Sequence, residues 1–192
     1  MSPEAAEALA TVDRLARTLQ WRQPDIRLYD DYYRGVQGKL KFASQEFADH
    51  FRSRYGTFSD NWCGVVADAP VERLEVVGFR TADAEDAKPD TDLWRVWREN
   101  DADFFSDQAF LDAVIGKRAF MMVWGNPDDE QTPRITWEHP AQAIIDYDPE
   151  TNARRAGLKL WIDDTVEYAT LFTPTNVWKW QRSRFQGPET ES

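Results

Sequence analysis

The apolar positions change period along the chain. Ala5, Ala8, Val12, Leu15, Ala16 and Leu19 recur at three- and four-residue steps, the stripe of an amphipathic helix. Ser2 is placed to cap it, Pro3 suits the first helical position, and Glu4 and Glu7 sit at the positive end of the dipole. Pro24 predicts a break. Ile26, Leu28, Tyr29, Tyr32 and Tyr33 then predict a second, short helix over 25–33, stopped by Gly35. Further helices are predicted over 44–55, over 61–74 with an interruption near Pro70, over 90–99 and over 103–117. In the last, Phe105, Ala109, Phe110, Ala113 and Val114 are expected to point inward. Between these helices, Leu74 to Phe79 predicts a strand and 81–91 an exposed loop.

After Gly116 the period shortens. Ala119 to Trp124 is continuously apolar, the pattern of a strand covered on both faces. Ile135 and Trp137 alternate with Arg134, Thr136 and Glu138, which predicts a strand with one wet face. Ile144 to Tyr147, Ala156 to Ile162, Thr165 to Phe172 and Val177 to Trp180 predict further strands, with turns at 148–152 and 163–164. The order is helices, a helical pair and an antiparallel β-rich meander, so the fold class is α+β. Along the chain this divides into a helical segment over 1–58, an α+β region over 59–185 and a polar tail over 186–192.

A chain of 192 residues can build a core without disulfides, and nine Trp, eleven Phe and six Tyr supply apolar surface for it. No run of about 18 apolar residues predicts a membrane span, and residues 1–4 lack a signal-peptide pattern. The one cysteine, Cys63, rules out an internal disulfide and favours a reducing compartment. The net charge of −11 is a poor footprint for a free nucleic-acid binder, and it suits either solubility or a surface that must not adhere to a passing polyanion.

Candidate chemistry is sparse. Asp146, Asp148, Glu150 and Asn152 alternate as in a calcium loop, but Thr151 and Gly157 stand where such a loop needs Gly and Glu, so a solvated turn is expected. Cys63 is expected to be a small hydrophobe of an apolar helix. His50 and His139 are expected to be structural. There is no phosphate-cradling loop and no dinucleotide fingerprint. No catalytic, cofactor or metal residue is assigned, and the carboxylate pairs of a glycosidase carry no weight among 34 acidic residues. Arg154, Arg155 and Lys159, and Lys179, Arg182 and Arg184 near Trp178, Trp180 and Phe185, form two basic groups. The aromatic-plus-basic texture of the second group fits single-strand binding, but edge protection or a subunit contact fits an acidic chain better.

Four blocks stand in a familiar order: Tyr32-Tyr33-Arg34-Gly35; Asn61 to Asp68 followed by Arg73-Leu74-Glu75-Val76-Val77-Gly78-Phe79; Trp94-x-x-Trp97-x-x-Asn100; and Gly116 to Trp161. In these the chain resembles the portal proteins of long-tailed bacteriophages, especially those of actinobacterial hosts. The resemblance implies a structural, non-enzymatic subunit of the head–tail connector, a homo-oligomeric ring, usually a dodecamer, at the capsid vertex of the virion. It implies assembly in the host cytoplasm, no cofactor, and as partners the major capsid protein, the terminase large subunit, a head–tail adaptor and double-stranded DNA passing through the tunnel. It also implies that this chain corresponds to the wing, with stem, clip and crown absent. Arg154, Arg155, Arg182 and Arg184 are then expected to meet acidic surface of the adjacent subunit. A second reading is a carbohydrate- or peptide-binding module whose platform is Trp161, Trp178 and Trp180.

Overall fold

A computed structural model describes residues 2–36, 46, 61–81 and 89–183. Among them are four helices, α1 (Pro3–Arg34), α2 (Trp62–Val71), α3 (Thr91–Glu99) and α4 (Ala102–Gly116). Six strands follow: β1 (Phe120–Trp124), β2 (Arg134–Glu138), β3 (Ala143–Tyr147), β4 (Arg154–Asp163), β5 (Val166–Phe172) and β6 (Val177–Ser183). The class is α+β, as expected. The helix expected over 44–55, with His50, lies outside the described residues, as do most of the 81–91 loop and the tail.

The two helices expected on either side of Pro24 are one. Pro24 stands inside α1. Proline costs a helix the bond to the carbonyl four residues back, here that of Gln20, and both residues are exposed, where water can satisfy it. Ser2 caps the start, its Oγ accepting from the Ala5 amide at 3.2 Å. Gly35 ends the helix at φ 69°, a left-handed position that suits glycine.

The chain forms two units. One comprises residues 1–24 and 138–192. Its four-stranded antiparallel sheet has the order β3-β4-β5-β6. Ala8, Val12, Leu15 and Leu19 of α1 form one buried cluster with Ile144, Ala156, Leu158 and Leu171. The register explains why: Leu158 lies opposite Ile144 and Leu171, so these side chains fall on one face. Leu158 is 2% exposed and Leu171 fully buried. Ile162, near the end of β4, is exposed.

The other unit comprises residues 25–137, and it corrects three expectations. The inner face of α4 is built of small residues, with Ala102, Ser106, Ala109 and Gly116 buried while Phe105 and Val114 are exposed. α2 buries Gly64 and Ala67, and small residues on both helices permit a close approach. β1 pairs with β2 in a two-stranded sheet, and one of its faces is open, with Met121 and Val123 exposed. Residues 74–81 form no strand and join no sheet among the described residues; strand propensity there has no partner strand to act with.

Candidate functional site

Within the second unit, the motif residues converge as struts. Asn61 caps α2, its Oδ1 accepting from the Gly64 amide at 3.0 Å. Its Nδ2 donates to the Tyr33 carbonyl. The Tyr33 hydroxyl in turn donates to Asp68 Oδ1 at 2.9 Å; burial, and then that bond, raise the phenol pKa. A Cβ on Gly64 would stand 2.8 Å from Asn61 Nδ2 and 3.3 Å from the Tyr33 carbonyl oxygen, so glycine is needed for this approach. These contacts tie the C-terminal turn of α1 to the start of α2.

A second group surrounds α3. Asp90 caps it through the amides of Asp92 and Leu93, both at 3.0 Å. Phe79 packs on Trp94 and Trp97, with centroids at 5.9 and 5.2 Å, and Trp97 meets Trp137 edge-on at 5.9 Å. Asn100 closes the helix end: its Nδ2 donates to the carbonyls of Val96 and Pro133 at 2.9 and 2.8 Å, and its Oδ1 accepts from the Ile135 amide at 2.8 Å. Thr132 donates to Glu99, which also receives Arg95, both at 2.7 Å. The Thr132 bond, then Arg95, hold the Glu99 carboxyl below its usual range. Lys117 holds a left-handed backbone (φ 66°) beside α4, where glycine is usual. Its Nζ accounts for the choice, meeting the Tyr29 hydroxyl at 2.8 Å and lying 4.6 Å from that ring's centre.

In the helix-on-sheet unit the basic candidates divide. Arg154 lies exposed at the start of β4, opposite Tyr147. Arg155 beside it reaches the Tyr147 carbonyl at 3.2 Å and Asp146 at 3.4 Å. Asp146 is the hub, because Arg14 of α1 grips it with two bonds of 2.7 and 3.2 Å. Those bonds hold the Asp146 carboxyl below its usual range against the opposing effect of burial and raise the Arg14 pKa. Arg182 pairs with Glu167 across the β5–β6 register at 2.6 Å. That row lies level with Ile162, eight positions along β4 from Arg154, or about 26 Å at the usual rise. The two basic groups are therefore not one patch. Arg184 lies outside the described residues. Arg14 was not legible as a site residue, since its partner is 132 positions away and no local pattern links them.

The tryptophan platform is not there. Trp178 and Trp180 stack on each other on the α1 face and pack against its core. Trp161 belongs to the opposite face, stacked on Tyr168 at 5.2 Å with Lys159 over its ring. Strand alternation places them apart.

Other candidates take plain roles. Asp148 organises the turn by accepting from the amides of Glu150 and Thr151 at 3.0 and 2.9 Å, and these bonds, Thr151 first, lower its pKa. His139 Nδ1 accepts from the Ala141 amide at 3.1 Å. Cys63, expected to be packed away, is exposed, because the buried side of α2 is the Gly64–Ala67 side. Among the described residues no cluster of three or more His, Cys, Asp or Glu is placed to hold a metal ion. None of their helices is long and apolar enough to cross a membrane.

The family model "Phage portal protein, SPP1 Gp6-like" matches residues 18–192. The chain belongs to this phage portal protein family. It is 30% identical over 126 residues to the portal protein of Mycobacterium phage L5, and 29% identical over 126 residues to that of Mycobacterium phage D29. Each alignment covers 60% of this chain and 25% of the relative, so the chain spans about a quarter of the length of the curated relatives it matches. The portal match includes every strut residue of the second unit.

Proposed function

We propose that this chain forms the wing of a portal subunit, in a ring at the capsid vertex of a tailed-phage virion. The family match from residue 18 to 192 carries the reading. The struts support it: Tyr33, Asn61 and Asp68 bond one another, Trp94 and Trp97 pack on Phe79, and Asn100 ties the end of α3 to the backbone of Pro133 and Ile135, as a scaffold requires. In this reading the subunit is structural and has no turnover. It assembles in the host cytoplasm and works with the major capsid protein, the terminase large subunit and a head–tail adaptor. Double-stranded DNA enters and leaves through the ring. The net charge of −11 suits a neighbour of moving DNA, because basic surface would bind phosphate and release counterions.

Ring contacts are heterologous and close by rotation. Arg154, Arg155, Arg182 and Arg184 are proposed to meet acidic surface of adjacent subunits. Exposed pairs contribute only about 0–1 kcal/mol each, so several act together. Arg154→Glu is the cleanest probe, because Arg155 also serves Asp146 within its own subunit. Native mass by light scattering, with electron microscopy, tests the reading: roughly a dozen copies are expected, and a monomer at high micromolar concentration overturns it.

A further inference from the structure

Residues 74–79 carry strand residues, form neither helix nor strand, and pair with no strand among the described residues. Both ends are fixed. The Leu74 amide donates to the Val71 carbonyl at 2.9 Å, and the Phe79 carbonyl accepts from Asp90 at 2.8 Å while its ring sits on Trp94 and Trp97. The middle is open, with Val77 85% exposed and Leu74 46%. A segment anchored at both ends loses less freedom on gaining a partner than a free one, and main-chain pairing to a sheet edge is an established mode of association.

The same chain offers an edge to receive it. β3 and β6 are the edges of the four-stranded sheet. β3 is irregular between Asp146 and Tyr147, and the Arg14–Asp146–Arg155 network occupies that end. β6 pairs with β5 without a bulge over seven residues, and among the described residues no strand lies on its outer side.

We propose that residues 74–79 of one subunit add antiparallel to β6 of the next, as a fifth strand. This rests on the portal reading and names the contact it needs. One register sets residues 74–77 against residues 180–177 of β6, with Gly78 and Phe79 beyond its end. Leu74 lies opposite Trp180 and Val76 opposite Trp178, continuing the α1-side apolar face. On the other face Glu75 lies opposite Lys179 and Val77 opposite Val177. A slip of one residue sets Glu75 against a tryptophan and Val76 against Lys179 or Val177; a slip of two parts Glu75 from Lys179. Because donor segment and acceptor edge are different parts of the surface, the contact is head-to-tail and can close a ring.

Cross-linking tests the register in the full chain carrying Cys63→Ser. Opposed residues in antiparallel strands have Cα atoms about 4.5–5.5 Å apart, within disulfide reach, whereas diagonal neighbours stand about 7–8 Å apart. Val77→Cys mixed with Val177→Cys is expected to give a covalent dimer under mild oxidation, and neither alone should do so. Val77→Cys mixed with Lys179→Cys should give several-fold less. Separately, Glu75→Lys should lower the assembled fraction by about two- to five-fold, the scale of one exposed ion pair, and adding Lys179→Glu should restore it. A ring of native mass with no Val77–Val177 cross-link overturns the strand addition and leaves the portal reading standing. A monomeric native protein overturns both.

Discussion

In the helix-on-sheet unit, aliphatic residues of α1, β3, β4 and β5 close the core, and the Asp146 carboxylate pins the helix to the sheet. In the 25–137 unit, four aromatic rings and the side chains of Asn61 and Asn100 do that work. The aliphatic core is shaped by register and carries few polar obligations. The aromatic one is directional, and it leaves the buried indole N–H groups of Trp97 and Trp137 without an acceptor. Such groups cost free energy when desolvated. The comparison suggests that the first unit tolerates volume-conserving change and the second tolerates change only where it relieves a polar group.

The largest effects separate the two cores. Trp97→Ala should destabilise by about 3–5 kcal/mol and Leu158→Ala by about 2–5 kcal/mol. Hydrogen exchange should rise mainly over 25–137 for the first and over 1–24 and 138–183 for the second. Uniform acceleration in both variants would show that the units unfold as one. Next, Asn100→Ala should cost about 1–3 kcal/mol, because the Ile135 amide and Pro133 carbonyl lose their partners; urea denaturation reads it.

Asp146 gives the sheet unit a pH signature. Its folded pKa lies below the unfolded value, so its contribution is present above the unfolded pKa, near 4, and is lost as pH falls through the folded pKa. Asp146→Asn should therefore flatten the acid limb of stability below about pH 4 while lowering stability at pH 7. An unchanged acid limb would remove Asp146 from the account. The smallest effects refine the polar contrast. Trp137→Phe deletes one unsatisfied N–H and should fall within about 1 kcal/mol of the parent, and Cys63→Ser, on an exposed face, within about 0.5 kcal/mol.

Much of this was legible because period and capping are local. The α1 stripe, the Ser2 and Gly35 ends, the Asp148 turn and the alternation of β4 all stand as the pattern implies. Pro24 misled because an exposed helix side can hydrate the carbonyl that proline frees. Phe105 and Val114 misled because hydrophobicity does not say which face meets a partner; the small residues of α4 did. Leu74 to Phe79 misled because strand propensity cannot supply a neighbour. At the candidate site, the motif blocks were readable as a family pattern, but not their use as struts. Arg14–Asp146 and Lys159–Glu138 join distant positions and leave no local trace.

The long reach from Arg14 to Asp146 also sets a schedule for the newborn chain. At about 5–20 residues per second of synthesis, the 132 positions between them take roughly 7–26 s to emerge. Through that interval Val12, Leu15 and Leu19 have no sheet to cover them, and by its end, once Trp137 has emerged, every strut of residues 25–137 can form. The N-terminal part of the first helix, residues 3–24, is thus among the last parts able to dock.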